Sequence, residues 1–287
     1  MSCDGRDVWE IATAAPSQYV DRYTIQIAGG GHRVKISPKG DGPIELLSWT
    51  FKRNKYGVIY HSHGIVGATI NVINHWSRNV VSSEIGLLDP SLIIVAFGTN
   101  EGFHDDLETG EYARDFQDRL AFLRSAAPHA SIVVLGPPDA NRLPRFCEKR
   151  ISFRCFPLTP YEIDNYGELL AQKDERLCRW HPPPKLEVVR KIQQDVAALE
   201  GYFFWDWSTV MGGACGIHAW AQQEPPLTYK DHVHLTERGY HISAEALFKE
   251  IMIRGSVSCD FSDKCMDRYW KPSFLKKLGF STRYGSI

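Results

Sequence analysis

The sequence contains no run near the ~18 apolar residues of a membrane span, no surplus of either charge and no serine elbow. With 33 basic and 34 acidic residues the net charge is −1. No basic stripe argues for a nucleic-acid partner, and no acidic tail argues for a solvating arm. The opening, Met1-Ser2-Cys3-Asp4-Gly5-Arg6-Asp7, has neither a basic nor an apolar leader region. With Met1 taken as the true start, a soluble protein without an export signal is expected. The seven cysteines show no CxxC and no His/Cys cluster with zinc spacing, so neither a metal site nor a cofactor is expected. Their odd count leaves at least one thiol free. By spacing, Cys147/Cys155 and Cys259/Cys265 are the nearest candidates for disulfides in an oxidising compartment. There is no Gly-x-Ser-x-Gly elbow, and no Gly-Asp-Ser near an N-terminal strand.

What is present divides into three parts. Residues 1–56 read as a β-rich segment: Tyr23–Ile27, His32–Ile36 and Ile44–Trp49 are β-prone and separated by Gly29-Gly30-Gly31 and Pro38–Pro43. From Gly57 to about residue 255 the pattern is α/β. Val58–Tyr60, Leu92–Phe97, Ser131–Leu135 and Tyr202–Trp205 are nearly unbroken apolar runs, as expected of parallel strands covered on both faces. Helical stretches alternate with them over Ala68–Val80, Gly110–Ala127, Leu186–Leu199 and Thr236–Ile253. A loop-rich excursion runs from Pro137 to Pro184, either a substrate-facing lid or plain surface. Residues 256–287 form a basic, aromatic tail to which no role is assigned. The predicted fold is α/β, a three-layer α/β/α sandwich with a mainly parallel sheet and a short β-rich segment ahead of it.

Ligands of parallel sheets bind beyond the carboxyl ends of the strands. Asn100, in Phe97-Gly98-Thr99-Asn100-Glu101, follows such a strand, and its side-chain amide can donate to a developing oxyanion. Helix capping is the alternative use of Thr99-Asn100. Gly64 and Gly67, in His63-Gly-Ile-Val-Gly-Ala68, can bring a backbone N–H close to a substrate oxygen, or can simply form turns. Asp231-His232-Val233-His234 precedes the last helix with Thr236 as a candidate N-cap. There Asp231 can hold the His234 ring in the tautomer a general base requires.

Placed in this order, the residues resemble the SGNH (GDSL-type) hydrolase family, whose blocks supply Ser, Gly, Asn and His. Gly67 matches the glycine block, Gly98-Thr99-Asn100-Glu101 the asparagine block and Asp231-x-x-His234 the histidine block, over roughly Gly57 to Ile253. Gly-Val-Ile-Tyr-His-Ser-His-Gly-Ile-Val-Gly-Ala (57–68) and Trp205-Asp206-Trp207…Met211-Gly212-Gly213…Trp220 look most like carbohydrate esterases that remove O-acetyl groups from peptidoglycan. In such relatives a β-rich carbohydrate-binding module is inserted between the serine block and the glycine block, and the opening of this chain resembles the end of one. The resemblance implies an acylated carbohydrate substrate, an extracytoplasmic or secreted parent, catalytic Asp231 and His234, and an oxyanion hole of Gly67 and Asn100. The serine block has no counterpart, so the nucleophile is unassigned. Ser62 is a candidate by position only, on the wrong strand for the family's serine, and Ser2 and Ser208 have no supporting motif. Three readings stay open: an esterase lacking its nucleophile block, a catalytically dead glycan-binding protein, and a hydrolase with an unrecognised nucleophile such as Ser62 or the Cys215 thiolate. The oligomeric state is unreadable.

Overall fold

A computed structural model describes residues 1–7, 9–17, 19–27, 30–53, 55, 57–147 and 152–258. The Cys259/Cys265 pair, Gly29 and nearly all of the 256–287 tail lie outside the described residues. At the N-terminus β1 (Ser2–Cys3) pairs antiparallel with both β2 (Arg6–Asp7) and β3 (Val34–Lys35). Of the three β-prone stretches, only His32–Ile36 therefore contributes a strand. Tyr23–Ile27 and Ile44–Trp49 form no strand among the described residues, and Leu46 and Trp49 lie exposed.

The α/β region begins with α1 (Arg78–Leu88), β4 (Leu92–Ala96), α2 (Thr99–Gly102), α3 (Thr109–Ala126) and β5 (Ser131–Gly136). An excursion then carries β6 (Ser152–Cys155), α4 (Pro160–Asp164), α5 (Tyr166–Ala171) and β7 (Arg179–Trp180). The chain returns through α6 (Leu186–Leu199), β8 (Phe203–Asp206), α7 (Trp207–Met211), α8 (Gly216–Ala221) and α9 (Glu237–Ser258). The main sheet has the order β4-β5-β8, all parallel, with Ile94 opposite Val133 and Leu135 opposite Trp205.

Strand alternation sends side chains to two opposite layers. Val95, Ile132 and Val134 face Tyr112, Phe116 and Leu120 of α3 and Val189 and Val196 of α6. Val133, Leu135 and Trp205 face the other way, against Trp207, Val210, Ala246 and Leu247. The result is a three-layer α/β/α domain. Full burial of each large side chain here, Phe116 or Leu120 for example, contributes roughly 1.5–3 kcal/mol. The strict helical spacing of Val189, Ile192, Val196 and Leu199 explains why α6 spans its predicted residues.

Two expected elements are replaced. Val58–Tyr60 forms no strand: no neighbour among the described residues offers it a ladder, and Val58 is 86% and Tyr60 83% exposed. The helix expected over Ala68–Val80 is instead a 3-10 turn at Ile70–His75, followed by α1. Trp76 and Ser77 between them are extended. Asn71, Asn74 and Ser77 all favour local side-chain-to-backbone bonds over helix continuation.

The excursion is more ordered than its loop-rich sequence suggests. Tyr166, Leu169 and Leu177 form a small core of their own with Phe146 and Leu158. Thr159-Pro160-Tyr161-Glu162 is a capping box at the start of α4. Glu162 is also paired with Arg179 at 2.7 Å, and that bond, outweighing partial burial, holds its carboxyl down at about 2. The disulfides differ from those expected by spacing: Cys147 bonds Cys178, and Cys155 bonds Cys215. Sequence proximity misleads because β6 pairs with β7, which folds Cys178 back towards Cys147 and leaves Cys155 to reach the α7–α8 connection. The bonds span 31 and 60 residues, and loop closure of that size is worth about 4 kcal/mol each on the chain-entropy account. A Cys155→Ala/Cys215→Ala variant is therefore expected to unfold in denaturant with about 4 kcal/mol less stability. Equal midpoints for variant and wild type would show that the crosslink stabilises nothing.

Candidate active site

The site is built at the carboxyl end of the sheet. Gly98 follows β4 with φ 120°, a conformation that L side chains rarely adopt, and an added Cβ would lie 2.8 Å from Gln193 Nε2 and 2.9 Å from Pro137 Cδ. Glycine therefore lets the chain turn directly off the strand. The turn delivers Glu101 into the interior, 2% exposed. Its Oε2 accepts the Gly98 N–H at 2.9 Å and its Oε1 accepts the Ile70 N–H at 2.8 Å. Burial raises its pKa, and the hydrogen bonds from backbone N–H groups offset part of that. Beside it, Asn100 is exposed and donates Nδ2 to the Ala68 carbonyl at 2.8 Å. The glycine and asparagine segments are thus brought together by two adjacent side chains. Gly67 lies in the turn just before Ala68 with φ 74°, and no atom crowds its Cβ position. Asn100 is not the helix cap. One N–H of its amide is engaged by Ala68, and the amide's second N–H can serve a ligand.

The loops after the strands are stitched to one another. Arg142 donates to Asp105 at 2.6 and 2.8 Å and to the Phe103 carbonyl at 2.7 Å, joining the post-β5 loop to the post-β4 loop. Arg190 of α6 donates Nε to the Pro137 carbonyl at 3.2 Å and approaches Asp206, at the end of β8, at 3.6 Å. Asp139, 1% exposed, accepts the Ile217 N–H at 2.9 Å and so fastens α8 to the same edge. Burial raises its pKa to about 6 despite that bond and nearby Arg190.

The Asp231–His234 loop hangs from this assembly. Thr228 and Leu235 form a bridge across its base, and the Tyr229 N–H donates to the His234 carbonyl at 2.8 Å. Asp231 organises the tip. Oδ1 accepts the N–H groups of Val233 at 2.9 Å and His234 at 3.0 Å, while Oδ2 accepts from His234 Nδ1 at 2.8 Å. Partial burial pushes the Asp231 pKa up, but these bonds outweigh it and the net shift is downward. An ionised carboxylate has no proton to give, so Nδ1 donates and Nε2 carries the lone pair of a base. Among the described residues, the His234 ring pairs with Asp231 alone and is largely exposed. Thr236 caps α9 by accepting the Gly239 N–H at 3.3 Å.

His232 has a role that sequence reasoning missed. Its ring is buried, 3.7 Å from the Trp180 ring centroid in a stacked pair and 5.0 Å from that of His218. Its carbonyl accepts the Asn141 N–H at 2.9 Å. Burial first, then the neighbouring His218, lowers its pKa to about 4, opposed by Asp231. A buried neutral imidazole thus anchors the loop from which the exposed His234 projects. Its position between Asp231 and His234 was the available signal, but Trp180 lies far away in sequence.

The remaining candidates fare differently. Cys215 is in a disulfide and has no thiolate to offer, which removes it as a nucleophile. Ser208 is buried and donates its hydroxyl to Asp206 at 2.6 Å as part of the α7 cap. Ser62 and Gly64 lie exposed in the 57–68 segment, which forms no strand, and Ser2 lies in β1. The aromatic motif around Trp205, Met211 and Trp220 is core packing.

The sequence pattern of one family, described as GDSL-like Lipase/Acylhydrolase, matches residues 27–247. No curated protein matches the chain. Among solved structures, a peptidoglycan O-acetylesterase is similar at 23% identity and TM-score 0.50, covering 66% of this chain and 45% of that one. This chain therefore spans less than half of that protein's length. A lipase/acylhydrolase from Enterococcus faecalis has 16% identity and TM-score 0.38, covering 66% of this chain and 72% of that one. An acetylxylan esterase from Geobacillus stearothermophilus has 13% identity and TM-score 0.38, covering 64% and 68%.

Two outcomes are expected from the buried carboxylates. Glu101→Ala leaves two buried N–H groups without an acceptor and should cost about 3 kcal/mol in denaturant unfolding; a loss below ~1 kcal/mol would contradict its role as a joint. For Asp139 the folded pKa of about 6 lies above the ordinary unfolded value of ~3.9. Its contribution is therefore most favourable below pH ~4 and is lost as pH rises through about 6, by about 3 kcal/mol in all. Asp139→Asn should gain stability relative to wild type over that interval, and parallel pH–stability curves would refute the assignment.

Proposed function

The chain belongs to the GDSL-like lipase/acylhydrolase family, and from that premise we propose that it supplies the base and oxyanion hole of an ester hydrolase removing O-acetyl groups from a carbohydrate. The observation that carries the proposal is the Asp231–His234 pair: Nδ1 bonded at 2.8 Å, Nε2 directed outward, and backbone and ring both fixed by one carboxylate. In the first step His234 Nε2 takes the proton of a nucleophilic hydroxyl as its oxygen attacks the acyl carbon. The imidazolium, steadied by Asp231, then delivers that proton to the departing alkoxide. In the second step water is activated in the same way and releases acetate. The Gly67 N–H and the second N–H of the Asn100 amide serve the tetrahedral oxyanion; one such donor is typically worth about 10²–10³ in rate.

The nucleophile in this reading lies outside the chain, on a strand added in parallel beside β4. Support comes from β4 itself, which ends the sheet with its outer edge unpaired among the described residues. Leu92 and Ile94 on its uncovered face are 40% and 41% exposed, as in a strand still short of its neighbours. A strand there would end at the carboxyl edge beside Asn100. The sugar specificity rests on the 57–68 segment and on the likeness to a peptidoglycan O-acetylesterase. The two disulfides suit an oxidising, extracytoplasmic setting. A second reading, glycan binding without turnover, is favoured by the absence of any hydroxyl paired with His234 among the described residues.

The test is hydrolysis of a chromogenic acetate by the chain itself, by His234→Ala, and by a protein extended at its N-terminus with a strand that carries a Gly-Asp-Ser nucleophile. The chain should show no more than the residual ~10³-fold over water left by a site lacking its nucleophile, unaffected by His234→Ala. The extended protein should show turnover that His234→Ala abolishes. Substantial His234-dependent turnover by the chain alone would place the nucleophile within it. Binding of an acetylated oligosaccharide with no turnover in the extended protein would favour the second reading.

A further inference from the structure

The N-terminal sheet poses a stability problem that its own packing does not solve. Its three strands are two residues each, none of residues 1–6 is buried, and ribbons of this size are marginal in water. Its register, however, assembles three side chains of a particular chemistry. Cys3 pairs with Val34 across the ladder, and the Asp4 N–H donates to the Arg33 carbonyl at 2.9 Å. This brings His32, 28 residues on, against Asp4, with Nδ1 2.8 Å from Oδ2. Cys3 carries the free thiol among the described cysteines, and its Sγ lies 3.9 Å from the same Oδ2.

We propose that Cys3, Asp4 and His32 form a binding site for a borderline-soft divalent cation of the zinc class. One ligand atom from each residue lies within 4.8 Å of the other two. Tetrahedral zinc, with bonds of about 2.0–2.3 Å, needs its ligand atoms roughly 3.3–3.8 Å apart. The 2.8 and 3.9 Å separations bracket that range and the third is no more than 4.8 Å, so side-chain movements of about 1 Å close the site. Asp4 is prepared for the role: Oδ1 accepts the Arg33 N–H at 2.8 Å, which fixes the carboxylate and directs Oδ2 at both partners, as outer-shell contacts do for metal ligands. A thiolate, an imidazole and a carboxylate together disfavour Mg²⁺ and Ca²⁺, which take oxygen donors. Asp4 and His32 are exposed, so an ion has a path in and water can take the fourth position. Binding would release the thiol proton and staple β1 to the segment leading into β3. Motif spacing does not reveal the site, because its ligands come from opposite sides of a ladder.

The experiment uses the full chain, freed of metal by a chelator and titrated with Co²⁺, which substitutes for zinc spectroscopically. A near-ultraviolet thiolate-to-cobalt band should develop to one equivalent and be displaced by Zn²⁺. Cys3→Ser should abolish it, and His32→Ala should weaken Co²⁺ binding by about 100-fold or more, since removing a direct ligand costs at least what outer-shell changes do. Zn²⁺ should also slow alkylation of Cys3 in the unaltered chain, read by peptide mapping, which needs no variant. The absence of a band, its persistence in Cys3→Ser, or Cys3 alkylation indifferent to Zn²⁺ would overturn the proposal.

Discussion

The buried carboxylate of Glu101 is the constraint on which the geometry of the sheet edge depends. A carboxylate removed from water is costly unless hydrogen bonds replace its hydration. Here the replacements are the N–H groups of Gly98 and Ile70, which belong to segments on either side of β4. Satisfying one charge therefore fixes two loops at once. Asn100, next in the chain, then reaches the Ala68 carbonyl, and Gly67 and Asn100 come together as a consequence. The polar edge is set by electrostatic need, and the apolar layers beneath it only supply the platform.

A second chain of constraint runs from the excursion to the histidine loop. The Cys155–Cys215 bond holds the start of α8, and Asp139 accepts the Ile217 N–H there. His218 of the same helix meets His232, whose other face lies on Trp180 of β7. His234 is two residues further on. An element that reads in sequence as an expendable surface insertion thus forms one wall of the seat for the proposed base. Packed rings and one crosslink thus connect the excursion to the loop that carries His234.

How much of this was legible follows from the range of the forces involved. Ser131–Gly136 declares itself as a buried strand because covering on both faces demands continuous apolar residues, and Leu92–Ala96 and Phe203–Asp206 share that composition although Leu92 and Ile94 lie exposed. The α6 stripe does so through its period, and Asp231 and His234 through a local spacing that the loop preserves. Disulfide pairing was illegible because it depends on β6 meeting β7. Val58–Tyr60 has the composition of a strand, but composition states a capacity, and a strand exists only where a neighbour supplies the ladder. The role of His232 is hidden for the same reason: its stacking partner, Trp180, is remote in sequence. The Thr159–Glu162 capping box, by contrast, is legible from local spacing alone.

The bare side of β4 has a consequence for how this chain behaves as a material. A parallel strand offering unpaired N–H and C=O groups beside an uncovered apolar face is a template on which other chains can pair. Leu92 and Ile94 give it an adhesive surface. The near-zero net charge offers little electrostatic repulsion to keep copies apart. Edge-to-edge association, which rises with concentration, is thus the process that an edge unpaired among the described residues favours.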